Sequence, residues 1–303
     1  MIAFIARRLG QAALVLLAVG LVAFVLFRHV GDPVGNMVGQ DASLAERAAL
    51  RERLGLDQPL PVQLGRFVLN AARGDFGISY RQQRPVASLL AERLPATLEL
   101  VAVSAVLALG LGVPLGIYAA VARGSRLAQA LMAVSLVGVS LPTFVIGILL
   151  IHVFAVTLGW LPSFGRGEVV PLGWWSTGLL TASGRQAIVL PAVTLALYQL
   201  ALILRLVRAE MLDVLRADFI RFARARGLPP RAVYLRHALP NIAGPVITVT
   251  GLQIGALVAF SIVTESEFQW PGMGLLLIQA IRYADMPEMA AYLVLEAAMF
   301  VTN

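Results

Sequence analysis

The densest group of charged side chains is a run of arginines between two long apolar stretches, in residues 205–241. This segment carries eight arginines against three acidic residues, so its chemistry is the attraction of anionic groups. Anionic lipid and an acidic protein partner fit this charge better than nucleic acid does. A membrane protein that holds such a segment on one face presents a folded surface to a partner. We therefore expect the function to be controlled at this surface.

An intramembrane enzyme is one alternative, but the residues that it needs are not arranged for catalysis. The chain has three scattered histidines and no cysteine, which excludes disulfides, thiol catalysis and Cys-ligated metals. Ser140 lies in Gly-Val-Ser-Leu-Pro, which lacks the second glycine of a hydrolase serine turn. The sequence contains neither His-Glu-x-x-His nor a phosphate-binding loop. We expect no metal site and no ATP-binding motif in this chain.

Composition places the chain among polytopic membrane proteins. It is 59% hydrophobic and 14% charged, with a mean hydropathy of +0.82, whereas soluble domains carry nearer a quarter charged residues. Its apolar runs are long enough to cross a bilayer as helices, which predicts an all-α protein with six transmembrane helices. The predicted spans are approximately 9–28, 98–122, 128–158, 186–206, 241–264 and 288–303, the last of them incomplete.

The placement of arginine predicts the orientation in the membrane. Twelve arginines flank the spans on one side in short loops, and three lie on the other side. Positive residues concentrate on the cytoplasmic side, so the N-terminus is predicted to be cytoplasmic. Residues 29–97 then form an external loop, and residues 207–240 form a cytoplasmic loop. A secondary transporter is also polytopic, but it would be expected to show more intramembrane carboxylates or an internal repeat.

Local signals predict helices in the external loop. Ser43 and Glu46 form a capping box, in which each side chain accepts a hydrogen bond from a free backbone N–H group of the other residue. A second short helix is predicted over 61–73, with proline at its start and Gly74 beyond its end. An amphipathic helix along the outer membrane face is predicted from Val86 to Leu94.

Glycine and proline interrupt several of the predicted spans. Gly112 and Gly116 are four residues apart around Pro114, a spacing that lets two helix backbones approach closely. Pro142 lies inside the third predicted span. Ordinary packing in a helix bundle explains these residues most simply, and kinks that hinge during transport are the alternative.

The arginine-rich segment has the pattern of a helix, a break and a second helix. Apolar residues recur with helical spacing over 210–222, which predicts a helix that leaves the membrane and continues along its surface. Gly227 stops this helix, and two prolines at 229 and 230 prevent its continuation. A second helical pattern leads through His237 and Leu239 to Pro240. On periodicity, a basic amphipathic strip on the membrane surface is an equally good interpretation.

These residues resemble a known family. The pattern Ala-x-x-x-Gly, followed by Leu-Pro thirteen residues after the glycine, is similar to the cytoplasmic EAA loop of binding-protein-dependent ABC importer permeases. Arg221-Phe222 stands where the general pattern has Glu-Ala, and His237 replaces the usual isoleucine. Both departures are typical of the oligopeptide/dipeptide/nickel branch, and strings along the whole chain resemble its B-type subunit. These strings are LGLDQPLPVQ (54–63), GDFGIS (74–79), RPV (84–86), RLPATLEL (93–100), LGWLP (158–162), VLPAVTLAL (189–197) and FQWPGMG (268–274).

The resemblance implies a type I ABC importer permease fold in a bacterial inner membrane, and a mechanism. A coupling helix would sit in a groove of a separate ATPase subunit, and ATP-driven closure of two ATPases would move it as a rigid body. The implied contact residues are Asp218, Phe219, Arg221, Phe222, Ala223, Arg224, Ala225, Arg226, Gly227 and Leu228, with His237, Leu239 and Pro240 at the end of the loop.

The resemblance also implies partners and substrates. The partners are a second homologous permease subunit, two ATPase subunits that hold ATP and magnesium, an external substrate-binding protein and membrane lipid. This chain itself needs no cofactor. The expected substrates are di- and oligopeptides, with nickel chelates or glutathione as the alternative. Family members continue past residue 303, so the last helix is expected to extend further.

Polar residues within the predicted spans are candidates for a translocation path. Tyr198 and Gln199 lie in the fourth span, and Gln253 and Ser261 lie in the fifth. These two helices flank the cytoplasmic loop. His152, Arg205 and Glu265 are weaker candidates, since Arg205 and Glu265 lie near span ends and His152 has no metal-ligating partner at a suitable spacing. Hydrogen bonding within the bundle is the simpler explanation for each of them.

Overall fold

The computed structural model describes residues 2–30, 34, 43–53 and 57–302. These residues are mostly helical, with one short two-stranded hairpin. The α-helices are α1 Ile2–Val30, α2 Leu44–Arg53, α3 Leu60–Ala72, α4 Val86–Val121, α5 Arg126–Ser140, α6 Thr143–Leu150, α7 Ala182–Val214, α8 Asp218–Ala225, α9 Pro230–Ala232, α10 Leu239–Glu267, α11 Met273–Arg282 and α12 Met286–Thr302. The strands are β1 Val170–Leu172 and β2 Trp175–Thr177, and π-helical turns cover Ile151–Thr157 and Val233–Ala238.

The fold class is the predicted all-α membrane class. Within the described ranges, three helices are long and apolar enough to cross a membrane: Val86–Val121, Ala182–Val214 and Pro230–Glu267. A fourth crossing is counted if the bent pair Arg126–Ser140 and Thr143–Thr157 forms one span. The first and last predicted spans fall in α1 and α12.

The predicted third span, 128–158, is not one straight helix. Helices α5 and α6 meet at an angle of 108°. Pro142 caps the start of α6 with extended backbone angles, and it has no N–H group to continue the hydrogen bonds of α5. The residue before proline is also restricted to extended backbone, which Leu141 adopts with a ψ of 134°. The break is therefore encoded by Leu141-Pro142.

The separate amphipathic helix that was predicted from Val86 to Leu94 and the helix of the second predicted span are one continuous helix, α4. Pro95 and Pro114 are both accommodated within it. A Cβ atom added to Gly116 would lie 2.7 Å from the Cβ atom of Val207 on α7, and one added to Gly112 would lie 2.9 Å from a methyl group of Ile203. The two glycines therefore allow α4 and α7 to pack in direct backbone contact.

The chain forms two compact units, of which the larger holds residues 98–170 and 177–270. Its hydrophobic core continues from the membrane helices into the arginine-rich loop. Val207 and Met211 of α7 belong to the same buried cluster as Ile220 and Ala223 of α8. Val233 and Ile242 extend this cluster to the following helices. The arginine-rich loop is thus built on the core of the membrane helices.

The other unit holds residues 1–97, 171–176 and 271–303, and in it α1 packs along α12. The predicted capping box of α2 is confirmed, since the backbone N–H of Ser43 donates to the Glu46 carboxylate at 2.9 Å and the backbone N–H of Glu46 donates to the Ser43 hydroxyl. The second short helix, predicted over 61–73, is confirmed as α3.

The turn that follows α3 contacts the start of α12. The Ser79 hydroxyl donates to the Asp285 carboxylate at 2.6 Å, and the backbone N–H of Arg81 donates to the same oxygen at 3.0 Å. Tyr80 packs against a buried cluster around Met289. Burial, together with the charge of Asp285, raises the pKa of the Tyr80 phenol to about 12. The turn is therefore a folded part of its unit.

Candidate functional site

The arginine-rich loop begins with a sharp turn that the sequence pattern did not predict. Helix α7 ends at Val214, and α8 begins at Asp218, so the predicted continuous helix over 210–222 is wrong. The backbone N–H of Ala217 donates to the Val214 carbonyl three residues back, at 3.0 Å, which closes a turn instead of another helical step. The turn brings Ile220 and Ala223 into the buried core. The break in the helix is thus accompanied by burial of these two side chains.

Helix α8 presents an apolar and basic face to its surroundings. Phe219 is 44% exposed and Phe222 is 65% exposed, although aromatic side chains are usually buried. Arg221, Arg224 and Arg226 are exposed around them. The Arg226 guanidinium lies 5.8 Å from the centroid of the Phe222 ring. The helix is therefore anchored through one face and offers two aromatic rings, framed by arginines, on another.

Gly227 ends α8 in a left-handed conformation, as the sequence predicted. Its φ is +77°, which a residue without a Cβ atom adopts readily. The N–H of Gly227 donates to the Arg224 carbonyl at 2.9 Å, and the N–H of Leu228 donates to the Ala223 carbonyl at 3.3 Å. These two hydrogen bonds form a Schellman motif, which fixes the direction in which the chain leaves the helix.

The end of the loop runs into the membrane helix through a π-helical turn. This turn covers Val233–Ala238 and directly precedes Leu239 and Pro240. The missing N–H of proline interrupts the regular hydrogen bonding of the preceding turn. The side-chain amide of Asn241 donates to the His237 carbonyl at 2.6 Å, which satisfies one of the backbone groups there. His237, Leu239 and Pro240 therefore lie at the junction between the loop and the following helix.

Three of the four predicted path residues meet at one cavity of about 380 Å³. Tyr198 and Gln199 line it from α7, and Gln253 lines it from α10. Ser140 and Thr143 line it from the two sides of the break between α5 and α6. Ser261 does not line the cavity. It is buried within α10, where its hydroxyl donates to the Val258 carbonyl at 2.7 Å.

The cavity combines an aromatic wall with uncharged polar groups. The rings of Tyr198 and Phe260 lie 6.3 Å apart between centroids, at a tilted angle of 49°. Gln199 is only 3% exposed, and its side-chain Nε2 has no hydrogen-bond partner within the described residues. Buried amide groups are nearly always paired, so this unpaired donor marks the cavity as a place for a polar ligand or water.

The weaker candidates do not join this cavity. His152 and Arg205 are exposed in the structure, and Glu265 is buried in α10 away from the residues that line it. Among the described residues, no group of three His, Cys, Asp or Glu side chains could hold a metal ion.

A buried charge cluster is the main polar feature that sequence reasoning missed. The Glu99 carboxylate forms an ion pair with Arg166, and both side chains are less than 10% exposed. The same carboxylate accepts hydrogen bonds from the Thr177 hydroxyl at 2.9 Å and from the backbone N–H groups of Gly178 and Leu179 at 3.0 and 3.1 Å. It thus fixes the loop before α7 to the membrane helix α4. An acid at the edge of the apolar run of α4 was the only local signal.

Residues 112–302 match the family described as "Binding-protein-dependent transport system inner membrane component", and residues 1–101 match the N-terminal region of such membrane components. The glutathione transport system permease protein GsiC of Escherichia coli (strain K12) is 38% identical over 303 residues, covering 99% of this chain and 94% of GsiC. A protein of Brucella suis biovar 1 (strain 1330), named as a candidate permease of a peptide transport system, is 37% identical over 304 residues with the same coverage.

A solved structure shows the same fold. The MetNI methionine ABC transporter in inward-facing conformations matches with a TM-score of 0.55 and 19% sequence identity. The match covers 71% of this chain and 91% of the MetNI chain. The type I ABC importer permease fold that was expected for this chain is thereby confirmed.

Proposed function

Because this chain belongs to the family of binding-protein-dependent transport system inner membrane components, we propose that it is the permease subunit of an ATP-driven importer for di- and oligopeptides. The observation that carries this proposal is the similarity, over nearly the whole chain, to permeases named for peptide and glutathione transport. Glutathione is itself a small peptide, so both relatives favour substrates with amide bonds. The absence of a metal-ligating group among the described residues fits peptides better than nickel.

In this proposal α8 is the coupling helix. The chain has no phosphate-binding loop, so two partner ATPase subunits bind ATP and magnesium and supply the energy. The exposed Phe222 and Phe219 rings enter a groove of one ATPase, and the surrounding arginines meet its acidic side chains. Because Ile220 and Ala223 belong to the core of the membrane helices, a push on α8 is transmitted to α7 and α10 as a rigid-body movement.

The complete transporter contains a second, homologous permease and an external binding protein that selects the substrate. The N-terminus of this chain lies in the cytoplasm, as the distribution of arginines indicates. Substrate released by the binding protein then passes between the two permeases, along the cavity lined by Tyr198, Gln199 and Gln253.

The test is a reconstituted complex of the chain with the second permease, the two ATPases and the binding protein of the same transporter. ATP hydrolysis is measured in lipid nanodiscs, with and without peptide-loaded binding protein, and uptake is measured in proteoliposomes. We expect loaded binding protein to stimulate hydrolysis. Truncation of an aromatic anchor at the centre of an interface costs about 2 kcal/mol, so Phe222→Ala should weaken ATPase association about thirtyfold.

The matched control is Leu127→Ala, because Leu127 is also an exposed apolar residue, at the start of α5, and lies outside the coupling helix. It should assemble and hydrolyse ATP as the unmodified chain does. Failure of any ATPase subunit to co-purify with the unmodified chain would contradict the proposal. Parallel uptake measurements with glutathione and with a nickel chelate as substrates decide between the peptide assignment and its two alternatives.

A further inference from the structure

The break between α5 and α6 lies at the same level of the helix bundle as the polar residues of the cavity. Leu141 and Pro142 are in the middle of the bent pair Arg126–Ser140 and Thr143–Thr157. Tyr198 and Gln199 are in the middle of α7, and Gln253 is in the middle of α10. The cavity therefore lies near the middle of these apolar helices, far from their ends.

Broken backbone at this depth needs an explanation. The ends of α5 and α6 expose carbonyl and N–H groups that regular helix would satisfy, and lipid offers them no hydrogen bonds. Irregular backbone inside a membrane is tolerated where it is buried in protein or lines a cavity that holds water or a polar ligand. Residues 139–143 meet this condition, since all five line the cavity. The break thus supplies backbone hydrogen-bonding groups to the cavity wall.

A second, independent observation is the unpaired side-chain amide of Gln199. The residue is 3% exposed, it lines the cavity, and its Nε2 has no partner among the described residues. A buried donor of this kind is unfavourable until an acceptor occupies the space in front of it. The Nε2 group donates, so the missing partner is an acceptor such as a carbonyl oxygen.

The remaining lining residues limit the chemistry of the ligand. Ser140, Thr143, Tyr198 and Gln253 are polar but uncharged, and none of the residues that line the cavity is Asp, Glu, Arg, Lys or His. Charged groups would lose hydration there without an opposite charge to replace it. The volume of about 380 Å³ lies in the lower part of the ~300–1,000 Å³ range of small-molecule sites. A neutral, amide-containing segment of a short peptide matches both the size and the chemistry.

We infer that this cavity is a binding site for the backbone of a short peptide within the permease, and that Gln199 donates a hydrogen bond to one of its carbonyl groups. The inference rests on the proposed function and extends it, because it assigns peptide recognition to the membrane chain itself. Recognition is through backbone amides and not through the charged ends of the peptide. Side chains of the peptide pack against the aromatic wall formed by Tyr198 and Phe260.

The experiment measures equilibrium binding to the assembled complex in nanodiscs, without nucleotide and without binding protein. The probes are radiolabelled trialanine and its N-acetylated, C-amidated analogue, which has the same amides but no terminal charges. We expect saturable binding of both, with the uncharged analogue bound at least as tightly as trialanine. Replacement of Gln199 by leucine removes one neutral hydrogen bond and should weaken binding of the analogue about five- to tenfold.

The matched control is Thr250→Val. Thr250 is also buried, its hydroxyl is unpaired among the described residues, and it does not line the cavity. This variant should bind the analogue as the unmodified chain does. Should Gln199→Leu fail to assemble, Gln199→Met keeps the length of the side chain and is expected to show the same loss.

The outcomes separate this inference from the proposed function. Equal affinity of the Gln199 variant and the unmodified chain, or no saturable binding of the uncharged analogue, would overturn the inference. ATP hydrolysis stimulated by loaded binding protein, measured on the same nanodiscs, reports on the proposed function. Normal stimulation without peptide binding would refute the site alone, and absent stimulation in the unmodified complex would refute the proposed function.

Discussion

Glu92 and Glu99 lie on the same helix, α4, and form ion pairs of opposite character. Glu99 is buried with Arg166, and its carboxylate accepts three further hydrogen bonds. Glu92 pairs with Arg84 at the surface, where both side chains are about half exposed. Glu99→Gln places an amide NH₂ against groups that all donate, and it leaves the Arg166 charge buried. We expect a loss of roughly 3–5 kcal/mol in the free energy of unfolding.

The substitution Glu92→Gln is the matched control, and we expect no measurable change from it because water and salt screen the exposed pair. Both variants are compared by SDS titration of the purified chain in mixed micelles. Equal stability of the two variants would show that the buried cluster does not hold the loop before α7.

The backbone φ angle of Gly227 supports a prediction about coupling. A Cβ atom built on it meets nothing within 4 Å, so a side chain would be disfavoured by the φ of +77° and not by a clash. A β-branched residue in this conformation costs about 1–2 kcal/mol, whereas asparagine tolerates it. We expect Gly227→Val to reduce the stimulation of ATP hydrolysis by loaded binding protein, and Gly227→Asn to retain most of it.

For the Gly227 variants, the measured quantity is the ratio of two ATP hydrolysis rates, with and without loaded binding protein. The complexes that are compared have equal subunit content. Transport and coupling at unmodified rates in the valine variant would contradict a role for the left-handed helix end.

At the scale of elements, the packing of α4 on α7 depends on small residues. A Cβ atom on Gly116 would lie 2.8 Å from the Leu204 carbonyl oxygen and 2.7 Å from the Cβ atom of Val207, so Gly116→Ala must push the helices apart. Such overpacking costs about 1–3 kcal/mol. Gly110 is on the same helix, and nothing lies within 4 Å of its added Cβ atom. Gly110→Ala should therefore leave stability unchanged or raise it slightly. Thermal unfolding in lipid nanodiscs distinguishes the two variants, and equal midpoints would contradict close packing at Gly116.

The elements also show which parts of the structure can be predicted from sequence. The end of α8 at Gly227 and the capping box at Ser43 depend on residues within a few positions of each other, and both predictions are confirmed. The turn before α8 depends on which side chains reach the core, which periodicity does not reveal. The Glu99–Arg166 pair joins residues far apart in the chain. Polar candidates inside the spans were found by residue type, but only the fold separates Gln199, which lines the cavity, from Ser261, which does not.

At the scale of the whole molecule, the bent pair α5 and α6 raises the question of whether it crosses the membrane. A 108° bend is compatible with a broken span or with a loop that enters and leaves on one side. Arg123 before α5 and Arg126 at its start belong to the arginine-rich side, which is predicted to be cytoplasmic, while the segment after Thr157 contains few charges. The combined pair is apolar enough for one crossing. With the predicted orientation, a broken span is expected to place Gly124 in the cytoplasm and Phe164 outside.

The chain has no cysteine, so single cysteines can be introduced without removing native ones. Gly124→Cys is sterically open, and Phe164→Cys replaces a side chain that is 60% exposed. In intact spheroplasts, a membrane-impermeant maleimide should label only the Phe164→Cys variant. In permeabilised membranes, the same reagent should label both variants. Labelling of both variants from outside would indicate a re-entrant loop with both ends external. Such a result would contradict the predicted cytoplasmic location of the α4–α5 connection. It would also contradict the predicted orientation, on which coupling at α8 depends.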